Sequence, residues 1–263
     1  MKNLLTGVCN NIEQNIDKII LWKKSFESVT DNADVILLAY NPTDLDIKSL
    51  ELNNIKYQGI RENNNETVNN MRLLPMADFL QDNQNYYKNT IYTDVFDVVF
   101  LKDPFQKLVD GDIFVAGEGV LHAEEPWNTD VMNKCFPEYT QLTRNQEVYC
   151  SGVIAGSTKI LSEYLRLMNT ECLTSLKGHD IEDQAAMNIV IYNNVFNVKK
   201  FNLTDKWCIH MAVAGPTQFF KEWGFGDRIK ERYNLVPNWK DYDIVHQFNR
   251  IPEIHNEIKQ MYA

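Results

Sequence analysis

Short apolar runs and helical stripes alternate over the first sixty residues. Residues 3–8 and 33–40 are continuous apolar runs of strand length. Between them, from residue 12 to 26, apolar side chains recur at spacings of four and three, which indicates an amphipathic helix. A second helix is predicted over 44–52 and a third strand over 55–58. This alternation is typical of a parallel sheet that helices cover on both faces.

The same pattern continues to the end of the chain. A polar, Asn-rich loop is predicted over 63–70, followed by a helix from about 70 to 79. Further predicted strands cover 112–117, 148–156 and 244–247, and further helices cover 156–175, 182–192 and a closing segment around 254–261. The chain contains no internal repeat or low-complexity linker, which favours one domain.

Composition narrows the class of protein. With 263 residues, 44% hydrophobic and 24% charged, the chain has the make-up of a soluble globular protein with a full core. Its 26 Lys and Arg against 36 Asp and Glu give a net charge of -10, which argues against binding nucleic acid through a basic surface. An anionic small-molecule substrate would need local cationic side chains or a divalent metal ion.

Cysteine usage and the apolar runs bear on localisation. The five cysteines include no CxxC pair and indicate buried, reduced thiols rather than a disulfide framework. No run approaches the ~18 apolar residues of a membrane span. The apolar run at the N-terminus is too short for a signal peptide. We therefore expect a cytoplasmic protein.

Two carboxylates interrupt an otherwise apolar stretch at residues 92–100. Burying an unpaired carboxylate is expensive, so Asp94 and Asp97 must lie at a strand end or have cationic partners. If the strand ends near Thr93, both would flank the turn that leaves it and could converge on one divalent ion. Alternatively, Asp94 caps a turn and Asp97 pairs with a surface arginine. Spacing alone leaves both interpretations open.

An ordered set of motifs spans nearly the whole chain. In chain order they are TGV at 6–8, YTDVFDVVFLKDPF at 92–105, CSGVIAGS at 150–157, DQAAMN at 183–188 and VHQFNR at 245–250. Together they resemble the GT-A fold glycosyltransferases, in particular the metal-dependent retaining group that includes glycogenin-like and galactinol-synthase-like enzymes. The resemblance implies a single GT-A-like α/β domain over 1–263, with a mainly parallel twisted sheet flanked by helices. About 1–110 would form the nucleotide-binding half and about 111–263 the acceptor-binding half.

The resemblance implies a metal site for Mn²⁺ or Mg²⁺. An acidic D-x-D motif at a strand end holds the ion in this family, and a histidine near the C-terminus commonly completes the site. The matching residues are Asp94, Asp97 and His246. This sequence has D-x-x-D instead of D-x-D, so the carboxylates could divide metal and ribose contacts differently. The alternative for His246 is a core histidine bonded to backbone.

The resemblance also implies contacts to a nucleotide-sugar donor. Thr6 and Gly7 would lie beside the nucleobase and ribose, and Arg72 would reach the diphosphate. The remaining implied donor contacts are Asp94, Ser151 and Gly152. Cys150 replaces the asparagine that usually precedes Ser-Gly in the family, which removes one amide contact. Arg72 could equally be a surface arginine, and Gly152 could reflect tight strand packing.

Asp183 and Gln184 are the implied catalytic pair and would face the donor sugar. Carboxylate-to-hydroxyl hydrogen bonds are directional and strong, which suits sugar recognition. A carboxylate at the start of a helix is also common for structural reasons, because the helix dipole favours an anion there. Both readings apply to Asp183.

Several other polar residues are weaker candidates. A group after an expected strand end could line an acceptor pocket, although a solvated loop is favoured for most of its members: Glu118, His122, Glu124, Glu125 and Trp127. Three further histidines have no companion spacing and are interpreted as structural or surface residues: His179, His210 and His255. The WGFGDR run at 223–228 lacks the strand–turn–helix setting of a phosphate-binding loop.

The expected function is transfer of a hexose from a nucleotide-diphosphate sugar, a UDP-sugar being favoured, to a hydroxyl acceptor. The resemblance favours retention; an inverting enzyme would need a carboxylate base, for which Glu118 or Asp183 could serve. One alternative is a catalytically silent nucleotide- or sugar-binding module on the same scaffold. Another is a sugar nucleotidyltransferase, which is disfavoured because the loop after the first strand, CNNIEQN, lacks glycines and basic residues.

Overall fold

A computed structural model describes residues 1–61, 68–215 and 221–262. The strands are β1 (Lys2–Cys9), β2 (Ala33–Tyr40), β3 (Tyr57–Ile60), β4 (Tyr87–Thr93), β5 (Val98–Phe100), β6 (Ile113–Leu121), β7 (Glu147–Ser157), β8 (Val198–Phe201), β9 (Cys208–His210) and β10 (Ile244–His246). The helices are α1 (Ile16–Glu27), α2 (Asp44–Leu52), α3 (Val68–Met71), α4 (Leu73–Asn83), α5 (Pro126–Cys135), α6 (Thr140–Thr143), α7 (Thr158–Thr174), α8 (Asp183–Tyr192) and α9 (Met211–Ala214), followed by helices Phe225–Tyr233 and Pro252–Met261.

Seven strands form one sheet in the order β3-β2-β1-β4-β7-β6-β8. Neighbours pair in parallel except at β7, which runs antiparallel to both β4 and β6. Helices pack on both faces, because the apolar stripe of α1 covers one side and α4, α7 and α8 cover the other. The predicted α/β class, with a mainly parallel sheet flanked by helices, is confirmed.

The α1 stripe anchors the end of β4. Ile19, Trp22 and Phe26 are fully buried beneath the sheet, and burying side chains of this size contributes about 1.5–3 kcal/mol each. The Trp22 indole N–H donates to Thr93 Oγ1 at 2.9 Å. This buried bond ties the helix to the last residue of β4, and the chain leaves the sheet directly afterwards at Asp94.

The segments that follow form a second, three-stranded sheet in the order β5-β10-β9. Strand β10 pairs antiparallel with β5 and parallel with β9. This small sheet brings the acidic turn between β4 and β5 beside the end of β10, although about 150 residues separate them in the chain. The turn and His246 therefore meet at one place.

Some element predictions differ from the structure. The third strand covers Tyr57–Ile60 instead of 55–58, because Asn54 adopts a left-handed conformation with φ 52° and delays the strand start. Helix α4 begins at Leu73, later than the predicted residue 70, and extends to Asn83. Residues 68–70, predicted as loop, begin α3, and the rest of that loop, residues 62–67, lies outside the described residues.

Two further expectations can be compared with the structure. All five cysteines lie within the described residues; each is buried, and no disulfide joins any two. Among the described residues, no helix has both the length and the apolar character that a membrane span requires.

Candidate active site

A cavity of about 680 Å³ opens beside the end of β4. The predicted site residues that line it are Arg72, Asp94, Asp97, Ser151, Gly152, Asp183, Gln184 and His246. These residues come from separate segments that the sheet topology gathers at one edge. The volume lies within the ~300–1,000 Å³ range of small-molecule sites.

Asp94, Asp97 and His246 converge on one wall of the cavity. His246 Nε2 lies 3.4 Å from Asp94 Oδ2 and 3.6 Å from Asp97 Oδ1. The turn is held in place by backbone bonds: the Asp94 N–H donates to the Gly152 carbonyl at 2.8 Å, and the Gln247 N–H donates to the Asp97 carbonyl at 2.7 Å. The Asp94 and Asp97 carboxylates and the His246 ring each place one ligand atom within 4.8 Å of the others, close enough to coordinate a single cation.

His246 presents an unsatisfied ring nitrogen to the two carboxylates. The residue is 1% exposed, and its Nε2 forms no well-aligned hydrogen bond within the described structure, although Asp94 Oδ2 lies 3.4 Å away. Buried polar atoms are nearly always bonded, so an orphaned one calls for an explanation. A metal ion between the carboxylates and Nε2 would satisfy it.

Arg72 joins the acidic turn to the start of α8. Its guanidinium pairs with Asp94 Oδ1 and, at 2.6 Å, with Asp183 Oδ2. Arg72 is only 5% exposed, so the pairing takes place in a largely desolvated setting. The alternative of a surface arginine is therefore wrong; Arg72 holds two carboxylates on the cavity wall.

Asp183 and Gln184 are buried at the N-terminus of α8 and are bonded on several sides. Ser151 Oγ donates to Asp183 Oδ2 at 3.3 Å, and the Ser151 N–H donates to Gln184 Oε1 at 3.2 Å. Gln184 Nε2 donates to Asn128 Oδ1 at 2.9 Å and to Glu118 Oε1 at 3.3 Å. The network fixes the orientation of the Gln184 amide toward the cavity wall.

Gly152 and Gly7 both sit where a side chain would collide. A Cβ on Gly152 would lie 2.7 Å from His246 Nε2 and 2.8 Å from Asp94 Oδ2, so the glycine leaves the space that a bound cation would need. A Cβ on Gly7 would lie 2.6 Å from the Thr93 carbonyl. Thr6 is fully buried within β1, and neither Thr6 nor Gly7 is among the residues that line the cavity.

The charges of the acidic wall depend on one another. Burial alone would raise the pKa of Asp94, but the Arg72 guanidinium and His246 outweigh it and hold that pKa well below its usual range. Burial and the neighbouring Asp94 charge raise the pKa of Asp97, with His246 opposing. Burial would lower the pKa of His246, yet Asp97 and Asp94 raise it above its ordinary value. The two aspartates therefore favour a positive charge beside them, carried by the protonated His246 ring or by a cation that replaces its Nε2 proton.

The cavity wall opposite the acidic turn is more buried than its sequence predicts. Three of the residues assigned to a solvated loop are buried: Glu118, His122 and Glu125. Burial and the nearby Glu125 raise the pKa of Glu118 to about 8. Glu125 caps α5 by accepting from the backbone N–H groups of Trp127 and Asn128. Glutamate before Pro126, a favoured first helical residue, was the available sequence signal for this cap.

His210 also lies at the site, although its sequence setting predicts only a structural or surface residue. It is fully buried, and its Nδ1 lies 2.9 Å from His246 Nδ1. Cys150, noted only as a departure from the family motif, has its Sγ 3.6 Å from the same His246 atom. No local spacing connects residues 150, 210 and 246; the pairing of β9 with β10 brings His210 beside His246, and Cys150 reaches them from β7.

A solved structure of another protein has a similar fold over nearly the whole chain. The structure of the galactosyltransferase LgtC in complex with donor and acceptor sugar analogues is similar over 99% of this chain and 96% of LgtC, with a TM-score of 0.59 and 11% sequence identity. No protein-family model and no curated protein sequence matches the chain. At this identity the likeness establishes the fold alone, and it agrees with the GT-A-like α/β architecture that the motifs implied.

Proposed function

We propose that the chain is a glycosyltransferase that moves a hexose from a UDP-sugar to a hydroxyl acceptor with the help of a divalent metal ion. The observation that carries the proposal is the convergence of Asp94, Asp97 and the unsatisfied His246 Nε2 on a substrate-sized cavity. The fold supports it, since the similar LgtC structure contains donor and acceptor sugar analogues.

The donor set fits Mn²⁺ or Mg²⁺. Asp94 Oδ2, Asp97 Oδ1 and His246 Nε2 would hold the ion; the two oxygens suit either metal, and the imidazole nitrogen favours Mn²⁺. When bound, the ion would neutralise charge on the departing diphosphate as a Lewis acid. The same cation would allow a protein of net charge -10 to hold an anionic donor.

The remaining residues position the donor. Arg72 keeps Asp94 and Asp183 in place on the wall, and its Nε has no partner within the described residues. Asp183 and Gln184 would accept and donate hydrogen bonds to sugar hydroxyls, while Ser151 and Gly152 shape the wall between them and the metal ligands. Thr6 and Gly7 would lie toward the nucleoside, because Gly7 packs on the end of β4 next to Asp94.

The proton on Glu118 and the ion pair of Asp183 favour retention of the anomeric configuration. An inverting reaction needs an ionised carboxylate at the acceptor hydroxyl. Glu118 holds its proton at neutral pH, because burial raises its pKa to about 8, and Asp183 is engaged by Arg72. In a retaining reaction, an oxygen of the leaving phosphate can take the acceptor's proton. The anomeric configuration of the product, followed by NMR from the first turnovers, tests this.

A catalytically silent binding module is the second candidate. Two observations favour it: Cys150 stands where related enzymes carry asparagine, and the acidic motif is D-x-x-D. Both candidates bind the nucleotide. Only the transferase releases free nucleoside diphosphate when it is given a donor sugar, so turnover separates them.

Calorimetric titration with UDP is the first test. We expect UDP to bind in the presence of Mn²⁺ and to lose that affinity in excess EDTA. GDP is the control for the identity of the nucleobase. A thermal-shift measurement provides a cross-check, because a ligand that binds only the native state raises its Tm. Tighter binding of GDP would change the donor base and keep the site. If folded protein binds neither nucleotide, the proposed function is wrong.

A further inference from the structure

His210 and His246 are direct neighbours in the small sheet. They are register partners in the parallel pair β9–β10, so their side chains project side by side from the same face. Both are buried, at 0% and 1% exposure, and their rings meet nearly perpendicular, with centroids 5.2 Å apart and an angle of 86°. Their Nδ1 atoms are 2.9 Å apart, the length of a hydrogen bond.

One proton must lie between these two nitrogens. Two N–H groups would collide at this distance, and two lone pairs would repel each other and leave both buried atoms unsatisfied. The bond therefore has two possible directions. Either His246 Nδ1–H donates to His210, or His210 Nδ1–H donates to His246.

The direction decides what His246 can do at the acidic wall. If His246 accepts at Nδ1, its own proton lies on Nε2 and blocks that atom as a ligand. If His246 donates from Nδ1, the neutral ring offers the Nε2 lone pair toward Asp94 and Asp97. The second direction is the one that a metal site requires.

The far side of His210 allows the second direction. Cys208 Sγ lies 3.8 Å from His210 Nε2, within reach of an N–H donated by that nitrogen. A proton on Nε2 leaves Nδ1 of the same ring as the acceptor for His246. Cys208, His210 and His246 would thus form one buried chain of hydrogen bonds that ends at the acidic wall.

We propose that His210 is a positioning residue that holds His246 in the Nδ1–H form, so that Nε2 is presented to a divalent cation between Asp94 and Asp97. The proposal deepens the proposed function and rests on it. Ligating histidines commonly donate their second ring N–H to a carboxylate or a backbone carbonyl. Here a second imidazole has that role, and neither histidine's local sequence shows it.

Two substitutions at His210 test the role. His210→Leu removes the acceptor at similar volume, and His210→Asn retains an amide oxygen close to the position of Nδ1. We expect His210→Leu to weaken Mn²⁺ binding, measured by EPR in the presence of UDP, by roughly 10–100-fold, the cost typical of losing such a partner. His210→Asn should recover most of the affinity. Unchanged affinity in His210→Leu would overturn the proposal.

NMR of ¹⁵N-histidine-labelled wild-type protein gives a second readout that needs neither activity nor a variant. Long-range ¹H–¹⁵N correlations distinguish protonated from bare ring nitrogens at each of the five histidines. With EDTA and again with Mg²⁺, we expect protons on His246 Nδ1 and His210 Nε2. A proton on His210 Nδ1 would overturn the proposal, even where the substituted proteins fail to fold.

Two controls separate this proposal from its rivals. If His246→Ala loses Mn²⁺ binding and His210→Leu does not, the metal site stands and the role of His210 falls. If His246→Ala binds Mn²⁺ normally, the metal assignment itself is wrong. Cys150, His210 and His246 are also close enough together to hold one ion. A sulfur-to-cobalt charge-transfer band with Co²⁺, absent in Cys150→Ser, would place the ion there and overturn the proposal.

Discussion

The cavity has two ends whose carboxyl groups are in opposite electrostatic surroundings. At the acidic end, formed by Asp94, Asp97 and His246, an arginine pairs with Asp94 and lowers its pKa. At the amide end, formed by Glu118, Asn128 and Gln184, none of the ion pairs of the described residues includes Glu118, and its pKa rises to about 8.

The difference shows how one cavity can serve two kinds of ligand group. At the acidic end Arg72 keeps Asp94 ionised at neutral pH, which suits a cation and, through it, a diphosphate. The amide end offers neutral donors and acceptors that match uncharged sugar hydroxyls, and the neighbouring Glu125 carboxylate is occupied by bonds to Asn128 at the start of α5. The first end is specific for charge and the second for hydrogen-bond geometry.

Removing one carboxylate from the acidic end should have the largest effect. In Asp97→Asn an amide replaces a metal ligand at the same volume. We expect UDP affinity in Mn²⁺ to fall to the wild-type value in EDTA, and turnover to fall roughly a thousandfold, since the metal supplies several kcal/mol. Calorimetry and a coupled assay of released UDP measure the two effects.

The control for this variant is Asp110→Asn. Asp110 is exposed and adopts φ 60°, a conformation that asparagine tolerates well. Its binding and turnover should match the wild type. If Asp97→Asn binds UDP and Mn²⁺ like Asp110→Asn, the acidic end is not a metal site.

Removing Arg72, which bridges Asp94 and Asp183, should lower the free energy of unfolding. In Arg72→Leu the Asp183 carboxylate stays 2% exposed and loses its cation, a situation that costs about 3–5 kcal/mol. Urea denaturation measures the loss. Arg166→Leu is the matched control, because its pair with Asp78 is exposed and contributes only about 0–1 kcal/mol. Equal losses in the two variants would show that Arg72 has no special role.

Most of the architecture could be predicted from local pattern. Strand β2 and helix α2 fall at the predicted residues, because a continuous apolar run and a Thr43 capping box mark them. Strands β5, β8 and β9 have three or four residues each and were not predicted. A strand this short shows no measurable alternation of apolar and polar residues, so pairing with neighbouring strands determines whether it forms.

The site residues divide in the same way: those marked by local sequence were predicted, and those placed by tertiary contacts were not. Asp94 and Asp97 were identified because two carboxylates in an apolar stretch are costly wherever they lie. Glu118 was undervalued because its buried position is set by tertiary contacts, such as the bond from Gln184 on α8, that its own neighbours in sequence do not encode. His210 was missed for the same reason, since only its register against His246 gives it a place.

Substituting the carboxyl at the amide end should give the smallest and most pH-dependent effect. Glu118 retains its proton in the folded protein up to about pH 8, whereas the unfolded chain releases it near 4.5. Wild-type stability should therefore decrease as pH rises from 5 to 8, by at most about 1.4 kcal/mol per pH unit for one proton.

Glu118→Gln has no proton to lose there, so its stability relative to the wild type should increase from pH 5 to pH 9. Urea denaturation at pH 5, 7 and 9 measures this difference. The exposed Glu163→Gln should follow the wild type at every pH. Parallel curves for Glu118→Gln and the wild type would mean that Glu118 is ionised in the folded protein. The two ends of the cavity would then carry the same charge, and an uncharged sugar subsite at the amide end would lose its basis.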